Sequence, residues 1–228
     1  MRSRFLRLLR LKFPLGGRTD PEPLWAPVLG ILVILALQLT LADRFTLGPT
    51  WLAPLLELAL LAPRSVSAWR HTLRETSARH YGNVVLIALI NAFNLVSLAL
   101  LVRSLLRGGT QAGPELLLDA VTLWVTNVIG FALWYWEVDR GGPWRRRLKV
   151  PRRPDFLFPQ MTLQDPHDVD WRPDFGDYLF VAFTNAAAFS PTDTLPLTGR
   201  VKMLMMTQAF ISLLTVAIVA SRAVNILR

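Results

Sequence analysis

Residues 25–42 read WAPVLGILVILALQLTLA, an apolar run without a charged side chain, opened by Trp25 and closed by Asp43 and Arg44. At about 1.5 Å per residue it is about 27 Å long as a helix, close to the ~30 Å hydrocarbon core of a bilayer. A soluble core would interrupt such a run sooner, and the aromatic and charged flanks are those of a helix held between two interfaces. The stretch predicts a transmembrane helix. Comparable runs recur along the chain, and together they predict an all-α, polytopic transmembrane bundle.

Outward from this run, Asn83–Leu101 predicts a second long apolar helix, with Asn91, Asn94 and Ser97 on one face for interhelical hydrogen bonds. Leu116–Trp136 predicts a third, with Asp119, Thr122, Thr126 and Asn127 as polar members and Trp134, Tyr135 and Trp136 as an interfacial aromatic belt. The two are expected to pack together. Asp119, one turn into its helix, is expected to reach the interface. Val201–Leu227 predicts the last span. Leu47–Ala62 is short, bounded by Pro49 and Pro63 and interrupted by Pro54; it predicts a broken, tilted or interfacial helix whose Glu57 faces water, the alternative being an intramembrane carboxylate of the kind that marks ion or proton pathways. Gly176–Ser190 is also short and predicts a crossing or half-crossing helix. The resulting organisation is a basic amphipathic segment over 1–24, transmembrane helices over 25–137, a charged, proline-rich connection over 138–174, and a C-terminal unit over 175–228.

Composition supports this class. Of 228 residues, 52% are hydrophobic, and the mean hydropathy of +0.36 exceeds that of ordinary soluble domains. The net charge is +9, from 25 basic and 16 acidic residues. The basic residues lie between the apolar runs, where Lys and Arg set topology, so the charge reads as membrane orientation and contact with anionic lipids, not as a nucleic-acid surface. Arg145, Arg146 and Arg147 are the densest part of that surface. With the N-terminus inside and every run crossing, twenty basic residues fall on the cytoplasmic side and five outside, and the C-terminus is inside. If 176–190 instead enters and leaves on the cytoplasmic side, the totals are unchanged and only the C-terminus moves. Arg far outnumbers Lys, a composition typical of GC-rich bacterial genomes; the expected location is a bacterial cytoplasmic membrane.

No chemistry-bearing motif emerges. The chain lacks cysteine, which removes disulfides and thiolate sites. His71 and His80 have no metal-ligand spacing. Asp165, His167, Asp168 and Asp170 alternate in a proline-containing loop and read as solvated. Without a phosphate loop, dinucleotide fingerprint or nucleophile elbow, no enzymatic activity, cofactor or metal is expected.

The last fifty or so residues carry a resemblance. Asp177 and Tyr178 open an amphipathic helix, Asp193 and Pro196 follow at the spacing of a filter's terminal Asp and trailing Pro, and Leu197–Asn225 follows as a long apolar helix. This order resembles the pore helix, filter and inner helix of bacterial potassium-channel pore domains. The filter-equivalent residues are Ala188, Phe189, Ser190, Pro191, Thr192 and Asp193. They lack the glycines that let successive carbonyls face a dehydrated ion, and Pro191 fixes its own φ, so potassium selectivity is not expected. The remainder, with Trp134–Glu137 before a DRGGP turn, is similar to an uncharacterised family of bacterial multi-span proteins. The resemblance implies a channel-like protein, weakly selective, homo-oligomeric, with Asn185, Gln208, Ser212, Thr215 and Asn225 forming a polar seam. The alternative is a small transporter or non-conducting scaffold in which Asn91, Asn94, Asn127 and Asn185 join helices.

Overall fold

The computed structural model describes residues 25–41, 45–46, 51, 53–58, 77–107, 113–147, 152–163, 171–187 and 193–226. The basic segment 1–24 and the Asp165–Asp170 stretch lie outside the described residues. The helices are α1 (Trp25–Thr40), a short stretch over 53–58, α2 (Ser77–Leu106), α3 (Gly113–Val138), α4 (Pro143–Arg147), α5 (Phe175–Ala187) and α6 (Gly199–Ile226). Three stretches are long and apolar enough to cross a membrane: His80–Leu106, Glu115–Gly141 and Gly199–Ala220. The second is 67% buried inside the protein, against 39% and 28% for the others, so α3 is the axis on which the bundle is built.

Small residues bring the neighbours close to that axis. A Cβ on Gly130 would stand 3.0 Å from the Asn91 side chain of α2, and one on Gly30 of α1 would stand 3.1 Å from Ile129. Such gaps let helices approach where lipid supplies no hydrophobic drive between them. The pairings also give direction. His80 meets Glu137 and Asn91 meets Gly130, so α2 runs antiparallel to α3. Gln208 of α6 bonds Ala182 of α5, and Ser212 bonds Ala186: both numbers rise by four, so α5 and α6 run parallel.

Two consecutive helices can run parallel only if the chain between them doubles back. α5 has 13 residues, about 20 Å. By Leu195 the chain has returned to the level at which α5 began: β2 (Leu195–Pro196) pairs antiparallel with β1 (Phe156–Leu157), just beyond the end of α3. The short segment therefore enters and leaves at one end of the bundle, the second of the arrangements compatible with the charge count.

That end is held by two carboxylates. Asp139 accepts bonds from the Asp155 and Phe156 backbone N–H groups at 2.8 and 3.4 Å and from the Tyr178 hydroxyl at 2.6 Å. Asp155 accepts from Arg140 N–H at 2.9 Å, Thr198 Oγ1 at 2.7 Å, and the Arg200 guanidinium at 2.9 and 2.6 Å. Between them, Asp139 and Asp155 tie the end of α3 to the beginnings of α5 and α6. The chain leaves α3 through Arg140, Gly141 and Gly142 at φ +53°, +82° and +96°; the two glycines occupy that left-handed region without the Cβ penalty. Phe156 is fully buried between the Tyr135, Phe158 and Tyr178 rings, closing this end of the core.

Burial alone would push the Asp155 carboxyl upward, but the bonds from Arg200, Thr198 and Arg140 outweigh it and hold it below its ordinary 3.8. A carboxylate depressed in the folded state contributes stability present above its unfolded pKa and lost as the pH falls through the folded one. The melting temperature of purified protein should therefore exceed that of Asp155→Asn at pH 7, and the gap should close as the pH falls below about 3.8. A gap independent of pH would show that ionisation of Asp155 does not contribute.

Candidate functional site

The polar residues of the C-terminal unit form a seam where α3, α5 and α6 meet. Gln208, fully buried, accepts at Oε1 from the Tyr135 hydroxyl at 2.5 Å and from Asn185 Nδ2 at 2.8 Å, and donates from Nε2 to the Ala182 carbonyl at 2.8 Å. Asn185 also donates to the Met205 carbonyl at 2.9 Å. Deeper along the helices, Trp124 Nε1 donates to Ser212 Oγ at 2.8 Å, and Ser212 in turn donates to the Ala186 carbonyl at 2.5 Å. Asn127 Nδ2 makes a long 3.5 Å bond to the Gln208 carbonyl.

The contacts bring together Asn185, Gln208 and Ser212 of the expected seam with Asn127, expected among the helix-joining asparagines, and add Tyr135 and Trp124. Thr215 is buried but bonds only the Ile211 carbonyl of its own helix. Asn225 lies within α6, its side chain outside the described residues. Asn91 belongs to a different contact, donating to Ile87 O at 2.8 Å and Gly130 O at 3.4 Å. Asn94 faces a separate small cavity with Ser97, Thr122 and Thr126. Of the filter-equivalent residues, Ala188, Phe189, Ser190, Pro191 and Thr192 lie outside the described residues, and Asp193 is exposed.

Several expectations are corrected. Tyr135 and Trp136 are buried, not part of an interfacial belt, because their faces of α3 meet α5, β1 and α4. Glu57 does not face water: it is fully buried and accepts a 3.0 Å bond from Gln38 Nε2 of α1. Asp119 is buried at 5% exposure, which describes its packing and not its depth in a membrane. Arg146 is not free for lipid. Its Nη1 donates to the Trp136 and Asp139 carbonyls at 2.6 and 2.9 Å, satisfying acceptors left open at the end of α3, and its guanidinium lies 5.4 Å from the centre of the Tyr178 ring. Arg145 stays exposed.

A second polar contact lies at the basic end, where His80 Nδ1 stands 2.6 Å from Glu137 Oε1 and Asn83 donates to Oε2 at 3.3 Å. It joins the beginning of α2 to the end of α3. Among the described residues no group of three or more His, Asp or Glu side chains is placed to hold a metal ion.

Filled on nearly every atom, the seam works as an interhelical lock. Gln208→Leu would remove the acceptor of the Tyr135 O–H and one acceptor of Asn185, leaving Tyr135 only the long 3.5 Å bond it accepts from Asn185 Nδ2, and unfolding in mixed detergent micelles should show a loss of about 1–2 kcal/mol. Thr215→Val, which removes only a local bond, should cost no more than about 0.5 kcal/mol. Equal losses would refute the distinction. No protein-family model, curated protein or solved structure matches this chain.

Proposed function

We propose that this is a multi-pass membrane protein in which α5 and the chain after it form a re-entrant hairpin, and that an oligomer of such units permits weakly selective ion permeation. The observation that carries the reading is the parallel run of α5 and α6, fixed by Gln208 to Ala182 and Ser212 to Ala186. Re-entrant segments are accommodated in membranes where they are buried in protein or line a water-filled path, as in channels and transporters. The outward face of α6 carries Met203, Met206, Phe210 and Leu213, all more than 60% exposed and spaced three or four residues apart. That stripe suits lipid or a second copy.

Charge supplies the orientation. With the hairpin re-entrant, Arg200 and Lys202 join the basic residues of 1–24, 64–79 and 140–172 at one end, twenty in all, while Arg44, Arg103, Arg107, Arg222 and Arg228 remain at the other. The first end is cytoplasmic by the positive-inside rule. The hairpin then enters from the cytoplasm and the C-terminus is outside, opposite to the potassium-channel arrangement. A second reading, a non-conducting scaffold, draws on the seam itself, whose polar atoms are spent on joining helices.

Cysteines placed singly at Thr162, Asp193, Arg107 and Arg228 test the topology in this cysteine-free chain. A membrane-impermeant thiol reagent on intact cells should label the Arg107 and Arg228 positions and spare Thr162 and Asp193. Labelling of Asp193→Cys with Thr162→Cys protected would make α5 a full crossing and end the re-entrant reading. Labelling of both, with Arg107→Cys protected, would reverse the orientation. In proteoliposomes the protein should pass Na⁺ and K⁺ with little discrimination; absence of flux would leave the scaffold.

A further inference from the structure

At the end of the bundle away from the basic face, α1, α2 and α3 enclose a second polar region that the seam does not use. A small cavity there is lined by Gln38, Asn94, Ser97, Thr122 and Thr126, with Leu41, Thr46, Ala53, Phe93 and Leu123 completing its walls. Its volume of about 20 Å³ has room for a single water or small ion. Glu57 is not part of this lining but adjoins it. It is bonded to Gln38 and lies one helical turn from Ala53, and both of those residues line the cavity.

The atoms left open here are all oxygens. Gln38 Oε1, Asn94 Oδ1 and Glu57 Oε2 are buried without a hydrogen-bond donor. The amide assignment of Gln38 is fixed by chemistry: its NH₂ group must face the acceptor Glu57, which turns its carbonyl oxygen away from that carboxylate. Asn94 is 6% exposed and Glu57 0%, so solvent does not satisfy them from outside. Each open acceptor destabilises the fold, and a buried carboxylate without a counter-charge does so more strongly. Among the described residues no Lys, Arg or His is paired with Glu57.

Three open oxygens gathered here, one of them on a buried carboxylate, ask for positive charge. A proton on Glu57 would neutralise the carboxylate but leave the Gln38 and Asn94 oxygens open. A water would serve two acceptors and leave the charge. A cation answers both needs, and the donor set selects its type. One carboxylate with amide and hydroxyl oxygens is a hard but weakly charged set, without the several carboxylates a divalent ion takes or the imidazoles a transition metal prefers. We propose that the cavity formed by Gln38, Asn94, Ser97, Thr122 and Thr126, with Glu57 adjoining it, binds one alkali cation between α1, α2 and α3. The site is separate from the re-entrant hairpin, and its occupancy does not depend on whether the protein conducts. Binding there joins the short 53–58 stretch to the bundle through a charge that only the folded protein assembles.

The test uses full-length purified protein in nanodiscs at constant pH and ionic strength, with N-methyl-D-glucamine chloride replaced stepwise by NaCl or KCl. Thermal stability should rise saturably with at least one of the two alkali ions, and radioactive ²²Na⁺ or ⁸⁶Rb⁺ should bind at about one per chain, released by excess unlabelled Na⁺ or K⁺. Glu57→Gln, which keeps the shape and removes the charge, and Asn94→Leu, which removes an open oxygen, should each abolish the cation response. Thr215→Val, away from the cavity, should keep it. Should either cavity variant fail to fold, the wild-type isotope measurement decides alone. The proposal is overturned if wild-type stability is the same in Na⁺, K⁺ and N-methyl-D-glucamine, if no saturable isotope binding is found, or if Glu57→Gln responds like the wild type. Stabilisation by acid with no response to either metal ion would mean that a proton and a water fill the site.

Discussion

Asp139 and Asp155 accept hydrogen bonds from the chain on every side of them, and in doing so they make the beginnings of α5 and α6 neighbours of the end of α3. Everything distinctive about the C-terminal half depends on that exchange. Asp155 reaches Arg200 and Thr198, which fixes where α6 starts; Asp139 reaches Tyr178, which fixes where α5 starts. With both beginnings held at one end, α5 and α6 have to run the same way, and the residues between them have to return. The antiparallel pair of β1 and β2, two residues each, covers the point of return, and the Leu197 N–H bond to the Asp155 carbonyl at 2.8 Å continues it. Phe156 and Phe158, buried against Tyr135 and Tyr178, fill the space that the carboxylates' bonds define.

The seam then secures at depth what the carboxylates set at the end. The 13 residues of α5 bury Phe175, Tyr178, Val181, Ala182 and Ala186 against the neighbouring helices, and hydrogen bonds add direction to that packing. Gln208 supplies that direction, because its amide bridges three helices at once through Tyr135, Asn185 and Ala182. Tyr135 is the hinge of both systems: its hydroxyl enters the seam, while its ring packs edge-on against Phe156 at 5.2 Å. Packing at the end of the bundle and hydrogen bonding at its centre are therefore coupled through one side chain.

The long apolar helices were legible in the sequence because continuous apolar length needs no tertiary information to interpret. Asn127, Asn185, Gln208 and Ser212 were legible for a related reason: amides and hydroxyls inside such runs have to find partners. What escaped was anything decided by a distant residue. Glu57 reads as a water-facing carboxylate until Gln38, nineteen positions earlier, is found beside it. Arg145 and Arg146 are identical in type and adjacent, and only the phase of α4 against the end of α3 turns one inward onto two carbonyls. Tyr135 and Trp136 carry the composition of an interfacial belt, and their burial follows from β1 and α5 folding over them. The direction of α5 was undecided by charge counting, since both arrangements place the same number of cations at each end; the parallel contacts with α6 separate them.

The two polar regions differ in a way that assigns them different work. In the seam, the Gln208 amide is engaged at both its oxygen and its nitrogen, and Ser212 both accepts and donates, so the groups there are spent on each other. Around the cavity between α1, α2 and α3, amide and carboxylate oxygens stand open although the packing buries them. The seam leaves one such atom open, Asn127 Oδ1, whereas three cluster around this cavity, one of them on a carboxylate, and their sign is that of missing positive charge. Structural polar residues close their own accounts, whereas a binding site keeps a deficit that only its ligand removes. By that criterion the seam is architecture, and the region around Glu57 is where this protein has kept capacity for a ligand.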